Sequence, residues 1–381
     1  MIMKITSKLL LISKKPLIIF AFLTIFLVGC SNATISKYDN LPRIDGYKNV
    51  VLMIGDGMGI NHLKVAEAYN QSPTFIISEA EISGWVKTAS LNSTITDSAA
   101  AATALSTGIK TRNGNIAYKD GLKLTTMSEY AHAYGMSTGI IATETLTGAT
   151  PAAFSAHNRS RKNTDQIFAE QIRSNVDMFM GAGKSYYDSR VSDIHDQKRS
   201  YYTNFELLQN AIDKLTSDEE KLTSFLASFD VISTSSSTAS SPSLSDLAKE
   251  AISYLDYKAG QNGFFLMIEG SHIDKRAHDK DLMGTIEQLN GFDQAVKSVV
   301  EWSRDKNDTL VIVTADHETG GLTYNDETKS QLSDDMFTTH AHTSVNIPFF
   351  VYSTDQLAFI EEGEVIENSD IAKIIRVAIR P

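Results

Sequence analysis

Residues 269 to 278 place Glu269, Asp274 and His278 within ten positions, directly after the apolar run 264–268. Two carboxylates and an imidazole at the end of a buried strand are costly unless a cation neutralises them, so the segment points to a metal site. A helix beginning near Ile273 sets Asp274 and His278 four apart on one face, where both can grip one ion. An N-cap acid beside a surface histidine is the other reading. A second apolar run, 311–315, ends in Asp316 and His317, and a third, 50–54, runs through Gly55 into Asp56. His342 stands just before the apolar stretch 347–351, with His340 two residues away as its rival. Ser98, in Thr96-Asp97-Ser98-Ala99-Ala100, supplies a hydroxyl at the first turn of an alanine-rich helix stopped by Gly108. There the helix N-terminus favours an anion, whereas a serine acting only as N-cap is the commoner role. No Gly-x-Ser-x-Gly elbow surrounds Ser98, so a metal rather than a protein base is the candidate for ionising it.

These groups span roughly three hundred residues and need a scaffold that gathers them. In α/β sheets, sites form at the carboxyl ends of the strands, where the runs 50–54, 264–268 and 311–315 all deliver polar residues. Further apolar runs at 138–142 and 177–180 read as strands. Helical patterns fall near 124–134, 163–174, 205–216, 244–258 and 282–304. The alternation predicts an α/β fold with a large, mostly parallel central sheet covered by helices on both faces. The serine-rich stretch 232–245 reads as a mobile surface loop.

Taken together, the motifs resemble the alkaline phosphatase family. They are Gly-Asp-Gly-Met-Gly at 55–59, Thr-Asp-Ser-Ala-Ala at 96–100, Ala-Thr-Pro-Ala at 149–152, Glu-Gly-x-x-Ile-Asp at 269–274 with His278, Thr-Ala-Asp-His-Glu-Thr-Gly-Gly at 314–321, and His342-Thr343, in family order. The resemblance implies a phosphate monoester hydrolase of broad substrate range working through a phosphoserine on Ser98, with water then releasing phosphate. It implies two zinc ions, one on Asp274, His278 and His342, the other on Asp56, Asp316 and His317. A magnesium ion is implied on Asp56, Thr150 and Glu269. Arg161 would clamp the phosphate, and Asp97 would orient that arginine. The physical reading agrees: paired cations can stabilise the attacking and leaving oxygens of an in-line displacement, and an arginine fork matches phosphate oxygens. A related superfamily enzyme acting on phosphodiesters or sulfates is the alternative, against which the Asp-Ser-Ala nucleophile and Arg161 speak. A non-enzymatic lipoprotein that binds metal or phosphate would need no reactive serine.

Some positions depart from the pattern. Where relatives carry an Asp or His two residues before Thr150, this chain has Gly148, so the magnesium site is expected to be one side chain short and to bind more weakly. Lys275, at a variable position, either reaches phosphate through water or stays solvated. The interval from Gly321 to His340 is short, so any crown insertion is small. His157 reads as packing or as support to the ligands, and His62, His132 and His195 as surface or satisfied core groups.

The first 29 residues carry Lys4, Lys8, Lys14 and Lys15, no acid, and the apolar stretch 17–28, as in a secretory signal. Leu27-Val28-Gly29-Cys30 resembles a bacterial lipoprotein box, which makes Cys30, the one cysteine, the expected lipidation site. An ordinary signal peptide or uncleaved anchor is the other reading. The chain then divides into a leader (1–29), a tether (30–45) and a phosphatase domain (46–381), exported and held to a bacterial membrane facing the periplasm or exterior. Four lysines leave with the leader, so 31 basic residues remain against 46 acidic ones and the mature charge is −15 before the termini. So acidic a surface argues against nucleic-acid binding. The oligomeric state stays open, a homodimer included.

Overall fold

The apolar runs that end in candidate ligands are neighbouring parallel strands. In the computed structural model, residues 36–40, 47–217, 222–306, 308–325, 327, 331–352, 357 and 359–379 are described. A ten-stranded sheet consists of β1 (Asn49–Gly55), β2 (Ile82–Lys87), β3 (Ser137–Thr145), β4 (Met178–Ala182), β5 (Ser200–Tyr202), β6 (Phe225–Phe229), β7 (Phe264–Gly270), β8 (Thr309–Thr314), β9 (Ile347–Tyr352) and β10 (Val365–Glu367). Their spatial order is β10-β2-β9-β8-β1-β7-β3-β4-β6-β5. Only β9 runs against the others, pairing antiparallel with both β8 and β2. Every residue of β1, β7 and β8 is buried. Because side chains alternate between faces, burial at every position means that both faces are covered.

The covering helices that matter for the site are α1 (Ser98–Thr107), α2 (Ala149–Ala153), α3 (Leu244–Ala259), α4 (His272–His278), α5 (Leu282–Arg304) and α6 (Asn368–Ala378). All ten residues of α1 are buried, and its alanines allow close approach to α2 and α6. A small apolar cluster of Ala99, Ile116, Ala149, Ala152, Ala156 and Ile167 joins α1 to α2, so the helices carrying Ser98 and Thr150 are fixed relative to each other.

Several expectations are adjusted. Lys37–Asn40, assigned to a tether, is a 3₁₀ turn docked on the domain: Tyr38 is buried and bonds Glu364, Lys37 pairs with Glu364, and Asp39 pairs with Lys373. An aromatic anchor between two ion pairs is what a sequence judged polar on average conceals. The leader, Cys30 and most of the tether lie outside the described residues. Residues 232–243 are not a loose loop but a bonded connection. Ser233 bridges Ser243, Ser237 bonds Asp246, and Ser243 caps α3. Between Leu322 and Ala341 the described residues include the 3₁₀ turn Asp334–Met336 and a bridge of Leu322 to Phe337, in keeping with a minimal crown. Among the described residues no helix is long and apolar enough to cross a membrane.

Candidate active site

Strand register brings the ligands together. Ile54 of β1 pairs with Thr314 of β8 on one side and Glu269 of β7 on the other. Asp56 and Asp316, each two residues further along, therefore leave the sheet level with each other, beside the start of α4. The turn after β1 needs glycine: Gly57 has φ +78°, and a Cβ there would lie 2.8 Å from Asp274 Cα. Gly57 N–H in turn donates to Asp316 Oδ1 at 3.1 Å.

Two ligand clusters result. Asp274 and His278, one turn apart on α4, meet His342, with His278 Nε2 3.1 Å from His342 Nε2 and 3.3 Å from Asp274 Oδ1, and His342 Nε2 3.5 Å from the same oxygen. The Nδ1 atoms of His278 and His342 face the backbone carbonyls of His340 and Thr96. A carbonyl only accepts, so each Nδ1 carries a proton, and the tautomer this selects has its Nε2 lone pair toward the other ring. Two lone pairs at 3.1 Å and a carboxylate oxygen form a donor set for a cation rather than hydrogen-bonded partners. His340 stays outside, its Nδ1 on His278 O at 2.7 Å, so His342 is the ligand candidate.

In the second cluster His317 Nε2 lies 3.1 Å from Asp316 Oδ2, 3.5 Å from Asp56 Oδ1 and 3.3 Å from Ser98 Oγ. Thr319 donates its hydroxyl hydrogen to Asp274 Oδ1 and so accepts from His317 Nδ1 at 3.2 Å. This leaves the Nε2 lone pair toward the carboxylates and Ser98. A histidine serving as base would have its carboxylate behind it on Nδ1; here both carboxylates crowd the atom that faces Ser98. Asp56 Oδ1 and Asp316 Oδ2 are buried without a hydrogen-bond partner. Two triads, Asp56–Asp316–His317 and Asp274–His317–His342, each bring their donor atoms within 4.8 Å of one another, His317 belonging to both.

Ser98 is not the N-cap. Asp97 fills that role, accepting from Ala100 N at 3.0 Å, which frees the Ser98 hydroxyl to project toward the clusters. Asp97 also accepts from Gly114 N at 3.0 Å and lies 3.4 Å from Arg161 Nη1, so it is held by backbone before it steadies the arginine. Arg161 is more than a third exposed, within reach of solvent and ligand.

Beside Asp56, Glu269 and Thr150 are fully buried, and both Glu269 oxygens and Thr150 Oγ1 lack a hydrogen bond of acceptable geometry. Burial, then the charge of Glu144, pushes the Glu269 carboxyl up to about 8. Burial and the carboxylates of Asp316, Asp274, Glu269 and Glu144 likewise raise Asp56. Asp316 goes the other way, to about 2: burial opposes its charge but the adjacent His317, and then Gly57 N–H, outweigh it. So many carboxylates under one roof fit a site built for divalent cations.

Gly148 does not leave the expected gap. A Cβ there would stand 2.2 Å from Glu144 Oε1, so that space is already filled by a side chain no motif marks. Lys275 is not simply solvated; its Nζ pairs with Glu144 Oε2 at 2.7 Å. His157 lies elsewhere, against Leu124 O, Glu129 and Glu170, and His62 is a core group under the Gly57 turn whose Nδ1 accepts from Gly59 N.

The alkaline phosphatase family model matches residues 47–372. Alkaline phosphatase 3 of Bacillus subtilis is 34% identical over 84% of this chain and 70% of its own length. The chain belongs to the alkaline phosphatase family. Alkaline phosphatase 4 of the same organism is 35% identical over 72% of this chain, which spans 62% of that relative's length. Among solved structures, the alkaline phosphatase of the Antarctic bacterium TAB5 superposes with a TM-score of 0.72 at 29% identity, covering 87% of this chain and 98% of that one. A variant of the TAB5 enzyme has magnesium bound in its M3 site. The superposition thus takes in most of the chain that carries the sheet and the donor clusters described above.

Proposed function

We propose that this chain hydrolyses phosphate monoesters, with Ser98 as the nucleophile and little demand on the leaving group. The observation that carries the reading is Ser98 Oγ, freed by the Asp97 cap, standing 3.3 Å from His317 Nε2 at the edge of two buried donor clusters. Asp274, His278 and His342 would hold one zinc, Asp56, Asp316 and His317 a second, and Asp56, Thr150 and Glu269 a magnesium. When bound, these ions supply charge neutralisation for the phosphoryl group and lower the pKa of the attacking hydroxyl. Arg161 orients two phosphate oxygens, and Asp97 restrains the arginine. Ser98 Oγ bonds to phosphorus as the bond to the substrate alcohol breaks, and the serine proton balances the departing alcohol. Water then attacks phosphorus, the Ser98 Oγ–P bond breaks, and serine regains a proton as inorganic phosphate leaves. Positioning and charge, not acid–base side chains, dominate such transfers.

The discriminating experiment compares matched aryl phosphate monoesters, diesters and sulfate esters on zinc- and magnesium-loaded protein, with acid quench to trap phosphate on Ser98. Monoester preference and label on Ser98 are expected; faster diester or sulfate turnover would overturn the reading. Export and lipidation on Cys30 belong to the same proposal, supported by the leader's lysines, apolar stretch and Leu-Val-Gly-Cys box. Cys30→Ser should shift the protein out of the membrane fraction, and persistence of lipid labelling would refute the anchor.

A further inference from the structure

The polar groups around Glu269 show a local imbalance. Both Glu269 oxygens and Thr150 Oγ1 are buried without a hydrogen bond of acceptable geometry, and Thr150 and Ser271 lie close enough to act on the Glu269 carboxyl. Across the sheet, Glu269 is in register with Ala142 of β3, and Glu144 follows two residues later, inside an irregularity of β3 between Ala142 and Thr145. Irregularities of this kind re-aim a side chain. Here Glu144 is carried over Gly148: a Cβ at 148 would meet Glu144 Oε1 at 2.2 Å, Glu144 Cδ at 2.8 Å and Thr145 O at 3.0 Å. A carboxylate at position 148 and the Glu144 carboxylate are therefore alternatives for one space. Of all charged neighbours, Glu144 acts most strongly on Glu269, and its field also reaches Asp56. Lys275 opposes it: its Nζ at 2.7 Å engages Oε2 and leaves Oε1 over Gly148.

We propose that Glu144 supplies the third cation site with the carboxylate that Gly148 withholds, held in place by Lys275. The inference rests on the phosphatase reading of the site, and it assigns magnesium affinity to a strand residue rather than to the segment before Thr150. Gly148 is then a requirement of the arrangement and not a defect in it. Lys275 fixes the orientation of Glu144 and keeps the surplus of negative charge small enough for the site to hold together before metal enters.

The test is magnesium binding to zinc-loaded protein, read by calorimetry and by the rise in thermal midpoint at saturating magnesium, both without substrate. Glu144→Gln keeps the size and removes the charge. It should weaken magnesium about tenfold or more while zinc per chain stays at the wild-type value. Magnesium affinity unchanged in Glu144→Gln, or no magnesium uptake by the wild type, overturns the proposal. Should that variant not fold, Glu144→Ala/Gly148→Asp is compared with Glu144→Ala/Gly148→Asn. Only the aspartate pair should recover magnesium binding, and equal affinities would refute the assignment. Failure of the phosphatase reading is seen separately, as absence of monoester hydrolysis in wild-type protein that still binds both metals.

Discussion

At the scale of single residues, the site is decided by which atom of each side chain is left over. His278, His342 and His317 each spend Nδ1 on a carbonyl or hydroxyl, and all three present Nε2 to carboxylates or to one another. Asp97 takes the capping role that would otherwise consume Ser98. Ser98→Ala should therefore lose the phosphoseryl species and at least about a thousandfold in turnover, while bound zinc, measured by elemental analysis, stays near the wild-type amount. Retained turnover in that variant would exclude the serine mechanism. Arg161 contributes binding in both ground and transition states, so Arg161→Ala should raise KM and the inhibition constant of inorganic phosphate, each by roughly tenfold or more. If neither constant moves, the arginine does not touch phosphate.

At the scale of elements, the strand ends and their turns set the separations. Gly57 is one such tight point, with its positive φ and with Asp274 Cα against it. Gly57→Ala should cost roughly 1–3 kcal/mol of folding stability and loosen zinc, because any shift of the turn moves Asp56 and Asp274 together. Denaturant melts with and without zinc would check this; a variant as stable and as zinc-replete as wild type would show that the turn has slack. Helix α1 owes its depth to alanine, which lets it approach α2 and α6 without overpacking.

At the scale of the whole molecule, a buried concentration of carboxylates makes folding dependent on cations and on pH. Without metal, Glu269 (up to about 8) and Asp56 keep protons in the folded chain that the unfolded chain releases above about 4.5, so they lower stability as pH rises. His317 adds to that loss, since Asp316 holds it above 6.5 despite burial. His62 and His272, both lowered to about 4 by burial, and His342, lowered by burial and His317, have the opposite sign but are spent above about 6.5. Chelated protein should thus lose thermal midpoint between about pH 6.5 and 8, and zinc with magnesium should abolish most of the slope. A midpoint that is flat or rising over that window in metal-free protein contradicts the account. Chelation should also remove activity, and zinc should restore it.

Much of this was legible in the chain, for a physical reason. Ligand residues sit at fixed offsets from strands whose apolar runs are unmistakable, and Asp56, Asp316-His317 and Asp274–His278 each follow directly from such a run. The fold class, helix α5 over Leu282–Arg304 and the strand before each ligand rest on local periodicity, and they agree with the structure. The short strands Ile82–Lys87, Ser200–Tyr202 and Val365–Glu367 lack that signal, because partners rather than pattern hold them. Glu144 was invisible for a different reason. A glutamate at a strand end reads as a surface charge until the irregularity in β3 carries it over Gly148 and onto Lys275. The docking of Tyr38 is of the same kind. Sequence by itself determined which residues could bind cations and which strands deliver them, since both depend on neighbours along the chain. Which side chain fills a given space was decided by tertiary structure alone, because occupancy is settled between residues that only the sheet brings side by side.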